Sequence, residues 1–77
     1  MPVTLETLAK GARARVISVM GGRGMAIKLS AQGIVPGMIV EKIGELRGGP
    51  VVLQVGRSRV AIGRGLARRV LVEVIES

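Results

Sequence analysis

The chain has 77 residues, of which 48% are hydrophobic, and its 12 Lys and Arg outnumber five Glu to give a formal net charge of +7. It contains no Cys, His, Asp, Asn, Phe, Tyr or Trp, which excludes disulfides, imidazole or thiolate metal ligands and most catalytic side chains. Nineteen residues are Val or Ile, whose branched side chains favour strands. We therefore expect a single mainly β domain over residues 1–77 that works by binding.

The first predicted elements are a short helix and a strand. Thr4 would cap a helix over 5–10, and Gly11 would end it. Alternation of charged and apolar residues over 12–20 then predicts a strand. Its alternation blurs in the second half, which indicates either a bulge or cover on both faces.

A second helix and a tight turn follow in the middle of the chain. Met25 and Leu29 lie four residues apart and would line the buried side of a helix that ends near Gly33. Pro36 and Gly37 then form a turn that leads into the next strand. Together they place a helix end directly before a strand, as in a compact small barrel.

The second half predicts three further strands, a helical turn and a last strand. The strands are expected over 38–45, 51–55 and 58–62, the helical turn over 66–69 and the last strand from Val70. Val70, Val72 and Val74 are expected to point inward because they alternate with Leu71 and Glu73. The prediction is therefore five short strands with two small helices.

This order and spacing resemble an SH3-like barrel, and more specifically the FeoA family. The residues that carry the resemblance are Leu5, Leu8, Gly11, Leu29, Gly33, Ile34, Pro36, Gly37, Gly49, Pro50, Val60, Ala61, Ile62, Ala67 and Val70. Members are small proteins of bacterial and archaeal ferrous iron uptake, and they share a fold with the C-terminal domain of iron-dependent repressors. The resemblance implies a mainly β fold, a small SH3-like barrel of about five strands with one or two short helices.

The same resemblance implies a function. It predicts a non-enzymatic, cytoplasmic accessory protein that docks to the cytosolic part of the ferrous iron permease FeoB. An apolar segment would form the contact and basic residues would orient it, although a solvated basic face is the plain alternative. The predicted partner-binding residues are Leu29, Gly33, Ile34, Pro36, Gly37, Met38, Arg57, Arg59, Arg64 and Arg68.

No metal, cofactor or catalytic site is expected. The only acidic side chains are Glu6, Glu41, Glu45, Glu73 and Glu76, and an exposed strand face shared by Glu41 and Glu45 is the simplest interpretation of that pair. The serines have no His to activate them. The glycine-rich segment 21–24 lacks the ending of a phosphate-binding P-loop, so we interpret it as a flexible loop.

The charge and the apolar pattern also bear on nucleic acid, on self-association and on membranes. A small basic barrel that binds nucleic acid through phosphate contacts is the rival function, but the lack of aromatic residues for base stacking leads us to expect no nucleic acid partner. Exposed edge strands leave pairing into a homo-oligomer open. The longest apolar run, 33–40, is far shorter than the roughly 20 residues of a membrane-spanning helix.

Overall fold

The computed structural model describes residues 1–75, which form six strands and two short helices. The strands are β1 Pro2–Thr4, β2 Arg13–Val19, β3 Ile39–Glu45, β4 Val51–Val55, β5 Ser58–Ile62 and β6 Val70–Ile75; the helices are α1 Arg23–Ser30 and α2 Arg64–Ala67. Every pairing is antiparallel, and the strands make one sheet in the order β1-β6-β2-β3-β4-β5. The sheet therefore ends in β1 on one side and β5 on the other.

One continuous aliphatic core lies on the inner face of this sheet. Its buried members are Leu5, Leu8, Ala14, Val16, Leu29, Ile34, Val40, Val51, Leu53, Val55, Ile62, Ala67, Val70 and Val72. Each fully buried Val, Leu or Ile stabilises the fold by about 1.5–3 kcal/mol relative to exposure. Val70 and Val72 are buried as predicted, and Val51, Leu53 and Val55 of β4 are buried on the same inner face. Val74 pairs with buried Ala14 and so also lies on the inner face, but near the end of β6 it is 41% exposed.

A bulge in β2 confirms the predicted irregularity. The register of β2 against β6 shifts between Val16 and Ser18, so that Ile17 is the extra residue and its side chain is exposed. Val19 thereby returns to the inner face beside Val70.

A second bulge, in β3, corrects the face expected for the two glutamates. The register against β4 shifts between Lys42 and Gly44. Glu41 pairs with Gln54 on the outer face, whereas Glu45 pairs with buried Val51. Because one inserted residue reverses the alternation, Glu41 and Glu45 lie on opposite faces.

The predicted helix over 5–10 is wrong. Thr4 ends β1, and the following segment makes one turn in which the Thr7 and Leu8 amides donate to the Thr4 carbonyl at 3.1 and 3.0 Å. The Leu5 amide donates instead to Val70 O, at 3.1 Å. Pairing with β6 holds this segment, since so short a stretch cannot offset the cost of helix nucleation alone. The strand β1 was not predicted, because three residues are too few to show an alternating pattern.

The predicted middle helix is confirmed as α1, but it begins at Arg23, so the second half of the segment 21–24 is helical rather than the flexible loop that was predicted. Leu29 is its buried residue, and the chain leaves the helix through Gly33, whose φ of 83° lies in the left-handed region. The Ile34 amide closes the turn by donating to the Leu29 carbonyl, at 3.0 Å. The short helix α2 begins two residues before the predicted helical turn.

Candidate functional site

An apolar groove runs between α1, β2 and the loop that leads to β3. We call it the α1 groove; it encloses about 470 Å³ and is lined by Ser18, Val19, Arg23, Ala26, Ile27, Ser30, Ile34, Val35 and Pro36. Ile27 is 60% exposed and Val35 37% exposed at its rim. An exposed apolar concavity of this kind is typical of a site that contacts a partner.

The structure places the predicted apolar contact residues in different surroundings. Leu29 and Ile34 are fully buried in the core, so their side chains support the α1 groove from below rather than meet a partner. Pro36 is exposed and lines the groove. The remaining predicted residues lie nearby: Gly33 at the end of the turn after α1, Gly37 exposed in the loop, and Met38 half-buried against the core.

Sequence reasoning missed the two apolar side chains that are most available in the α1 groove. Ile27 stands two residues before Leu29 on α1, and so lies on the side of the helix opposite the core. A large apolar residue on the expected solvent side of an amphipathic helix was the signal for it. Val35 carried no such signal, because only the folded loop shows which of Ile34 and Val35 is buried.

A second, more polar groove lies between the 5–10 turn and the β3–β4 hairpin. We call it the Lys42 groove; it encloses about 740 Å³ and is lined by Glu6, Thr7, Leu8, Lys10, Lys42, Ile43, Gly44, Glu45, Leu46, Val52 and Arg59. Lys42 is 3% exposed and points to the inner side of the sheet. Its amine donates to the Glu6 carbonyl oxygen at 2.9 Å. This hydrogen bond replaces part of the hydration that the charged amine loses on burial.

The same lysine anchors an ion-pair network. Lys42 Nζ lies 3.1 Å from Glu45 Oε1, and Arg64 Nη2 lies 2.8 Å from Glu45 Oε2. The hydrogen bond from Lys42 and its positive charge hold the pKa of the Glu45 carboxyl below the ordinary value of 4.5, and the Arg64 charge adds to that lowering. The network therefore ties α2 to the end of β3.

The four predicted basic contact residues do not form one cluster. Arg64, which begins α2, and Arg68, which follows its last residue, bind the chain's own carboxylates, Glu45 at 2.8 Å and Glu6 at 3.0 Å. Arg59 Nε donates to Gln54 Oε1 at 3.1 Å across the outer face of the β4–β5 hairpin. Arg57 is exposed in the turn of that hairpin. Arg57 and Arg59 are thus the members that the folded chain leaves without a carboxylate partner among residues 1–75.

The acidic residues do not gather. Within the described range 1–75, no three or more His, Cys, Asp or Glu side chains lie close enough together to hold a metal ion. Glu76, the fifth glutamate, lies outside that range. Among the same residues, no helix has both the length and the apolar character needed to span a bilayer.

Comparison with known proteins gives a family and a fold. The family model described as the FeoA domain matches residues 3–74. A crystal structure described as the iron uptake regulatory protein FeoA superposes with a TM-score of 0.91 at 35% identity, and the match covers 97% of this chain and 100% of that one. FeoA of Stenotrophomonas maltophilia, solved with zinc and described as a procaryotic SH3 domain protein, matches with a TM-score of 0.77 at 32% identity over 92% and 89% of the two chains.

More distant matches share the fold alone. An FeoA-like protein from Clostridium acetobutylicum has a TM-score of 0.87 at 22% identity over 99% of this chain and 90% of that one. T. acidophilum IdeR has a TM-score of 0.84 at 20% identity, with 96% of this chain matching 34% of that one. No curated protein matches the sequence. The SH3-like fold is thus confirmed, with six strands where about five were expected, and the chain belongs to the FeoA family, which is associated with ferrous iron transport.

Proposed function

We propose that this protein is a non-enzymatic accessory protein of ferrous iron uptake that works in the cytoplasm by docking to the cytosolic part of the FeoB permease. Membership of the FeoA family supports the transport role. The S. maltophilia relative is described as a candidate ferrous iron transport activating factor, which is the kind of role proposed for this chain. The side-chain inventory supports a binding role, because it lacks the His, Cys and Asp on which most catalytic sites depend.

The observation that carries the proposal is the exposed apolar rim of the α1 groove. Ile27 and Val35 present large aliphatic surfaces to solvent on either side of a concavity whose floor includes buried Ile34. Burying such side chains against a partner removes apolar area from water and so favours association. The α1 groove is therefore the docking surface that we assign to the permease.

Charge at the edge of this surface would orient the partner. Arg23 lines the α1 groove and Lys28 is exposed on the same helix, within a chain of net charge +7. Complementary acidic groups on the permease domain would increase the association rate and set the orientation more than they would increase affinity.

Ile27→Glu tests this assignment. It places a carboxylate in the apolar rim at a position that is already exposed, so the fold is kept while docking is weakened, by roughly tenfold in the dissociation constant. Leu46→Glu is the matched control, because Leu46 is 52% exposed in the β3–β4 connection and outside the α1 groove. An amide-resolved NMR titration with the cytosolic domain of the same organism's permease, at about 150 mM salt, measures both variants.

The outcomes of that titration are distinct. Shifts confined to α1 and the 34–36 loop, lost in Ile27→Glu and kept in Leu46→Glu, support the docking proposal. Equal binding by both variants contradicts the α1 groove as the docking surface. A short oligonucleotide serves as the control ligand, and shifts of basic residues with it alone would favour the rival nucleic-acid function.

A further inference from the structure

We infer that the free edge of β5 accepts an extended acidic segment of a partner as a seventh strand. This goes beyond the docking proposed above, since it concerns a different surface and a specific chemistry. The residues of β5 are Ser58–Ile62, and the strand pairs with β4 on one side only. Addition of a strand to such an edge is a recurrent mode of peptide recognition.

The hairpin geometry shows which backbone groups face the free edge. Gly56 and Arg57 join β4 to β5, and the Gly56 φ of 60° fits the first central position of a two-residue type II′ turn. Val55 and Ser58 then form the hydrogen-bonded pair that flanks the turn, and the pairs alternate from there. The N–H and C=O groups of Arg59 and Ala61 therefore point away from β4.

These groups have no other backbone partner in the part of the chain that the structure describes. Outside the β4–β5 pairing, no backbone hydrogen bond within residues 1–75 involves Arg59 or Ala61, and both residues are exposed. β5 also lacks two of the usual obstacles to strand addition: it contains no Pro, and its register against β4 has no bulge. The opposite edge differs, since β1 has only three residues and includes Pro2.

Charge selects an acidic partner over a second copy of this chain. Arg57 and Arg59 lie at the start of the free edge, and neither forms an ion pair among the described residues. Arg59 Nε donates to Gln54 Oε1 of β4, at 3.1 Å, on the side away from the free edge. The terminal guanidinium nitrogens form no ion pair among residues 1–75, so the side chain turns towards the added strand to meet a carboxylate. Two copies, each of charge +7, would repel one another at this edge.

The two faces of β5 define the pattern of the incoming segment. Arg59 and Ala61 lie on the outer face, whereas half-buried Val60 and buried Ile62 lie on the inner face. An added strand would place acidic side chains beside Arg59 and an apolar side chain beside Val60. The chemistry that fits is an extended segment that alternates acidic and branched apolar residues.

A peptide titration tests the inference on the full chain. The probe is a capped peptide of about seven residues that alternates Glu and Val, and the control peptide has Lys in place of Glu. We expect the acidic peptide to shift the amides of Arg59 and Ala61 and to slow their hydrogen exchange, and the Lys peptide to do neither. Arg59→Glu should raise the dissociation constant at least about tenfold. Arg47→Glu, an equal charge change in the exposed β3–β4 connection, should leave it nearly unchanged.

Ala61→Pro separates backbone pairing from simple charge attraction. Proline removes the outward N–H of Ala61 without removing a β4–β5 hydrogen bond, so it should abolish binding while the β4–β5 pairing remains visible by NMR. The inference is overturned if the peptide fails to shift β5, if Arg59→Glu and Arg47→Glu behave alike, or if β5 amides shift with protein concentration alone, which indicates self-pairing. Ile27→Glu should leave peptide binding intact, so failure here and failure of the α1 groove are distinguishable.

Discussion

Lys42 illustrates how a single residue joins distant parts of this chain. It is buried on the inner face of β3, and its amine reaches the backbone of Glu6, which is 36 positions earlier in the sequence. Its own backbone also bonds the same region, since Gly11 N donates to Lys42 O at 2.7 Å. A buried lysine is tolerated only where hydrogen bonds and opposite charge replace its hydration, and Glu6 O with Glu45 supplies both.

Replacing Lys42 by Met should therefore destabilise the fold. Methionine keeps most of the side-chain length but leaves the Glu6 carbonyl without its donor and Glu45 without one of its two cations, which costs about 1–3 kcal/mol. Lys28→Met, on the exposed side of α1, should change stability by less than about 0.5 kcal/mol. Urea unfolding followed by circular dichroism measures both, because the chain has no Trp or Tyr to report by fluorescence. Equal stability of the two variants would refute a structural role for Lys42.

The stability of this protein should depend on pH through the ionisation of Glu45. Its pKa is lowered in the folded state by Lys42 and Arg64, so the carboxylate contributes stability above the unfolded value of 4.5 and loses that contribution as pH falls below it. Glu45→Gln should thus be less stable than the natural chain at neutral pH, and the difference should shrink as the pH falls below 4.5. Urea midpoints across this range provide the measurement. A difference that grows on acidification would contradict the assignment.

At the scale of elements, α1 is weakly stabilised by its own sequence and depends on its attachment. Gly22 stands at the N-cap without a side-chain hydrogen bond, and the first turn has no acidic residue. Leu29, which enters the core, and the tight turn through Gly33 hold the helix in place. Because α1 forms one wall of the α1 groove, that turn also sets the geometry of the proposed docking surface.

Replacing two of the glycines by alanine should change the stability of the fold in opposite directions. Gly33 has a φ of 83°, and a Cβ there would lie 3.3 Å from Val55 Cγ1, so Gly33→Ala should destabilise the fold by about 1–2 kcal/mol. Gly24 lies in α1 with open space around it, so Gly24→Ala should stabilise it by up to about 1 kcal/mol. Thermal unfolding of both variants tests the contrast. Stabilisation by both would show that the turn accepts a non-glycine residue without strain.

Over the whole molecule, some basic side chains form ion pairs that stabilise the fold, and others are free to contact a partner. Of the 12 Lys and Arg, three form ion pairs within residues 1–75: Lys42, Arg64 and Arg68. These three secure α2 and the 5–10 turn to the sheet, whereas Arg57 and Arg59 flank the open edge of β5. The molecule thus presents an apolar groove beside α1 and a basic edge along β5, and the two surfaces share no lining residue.

Local patterns in the sequence were enough to predict a mainly β fold, most of the strands, the buried side of α1, the turn through Gly33 and the family. These features follow from local periodicity, from glycine conformation and from the order of short motifs. The other features follow from contacts that form only in the folded chain. A bulge at Ile43 places Glu45 beside Lys42. A backbone hydrogen bond to β6 holds the start of segment 5–10, which forms a turn instead of a helix. Folding buries Leu29 and Ile34 and leaves Ile27 and Val35 exposed. Each depends on contacts between residues far apart in the chain, which local patterns do not encode.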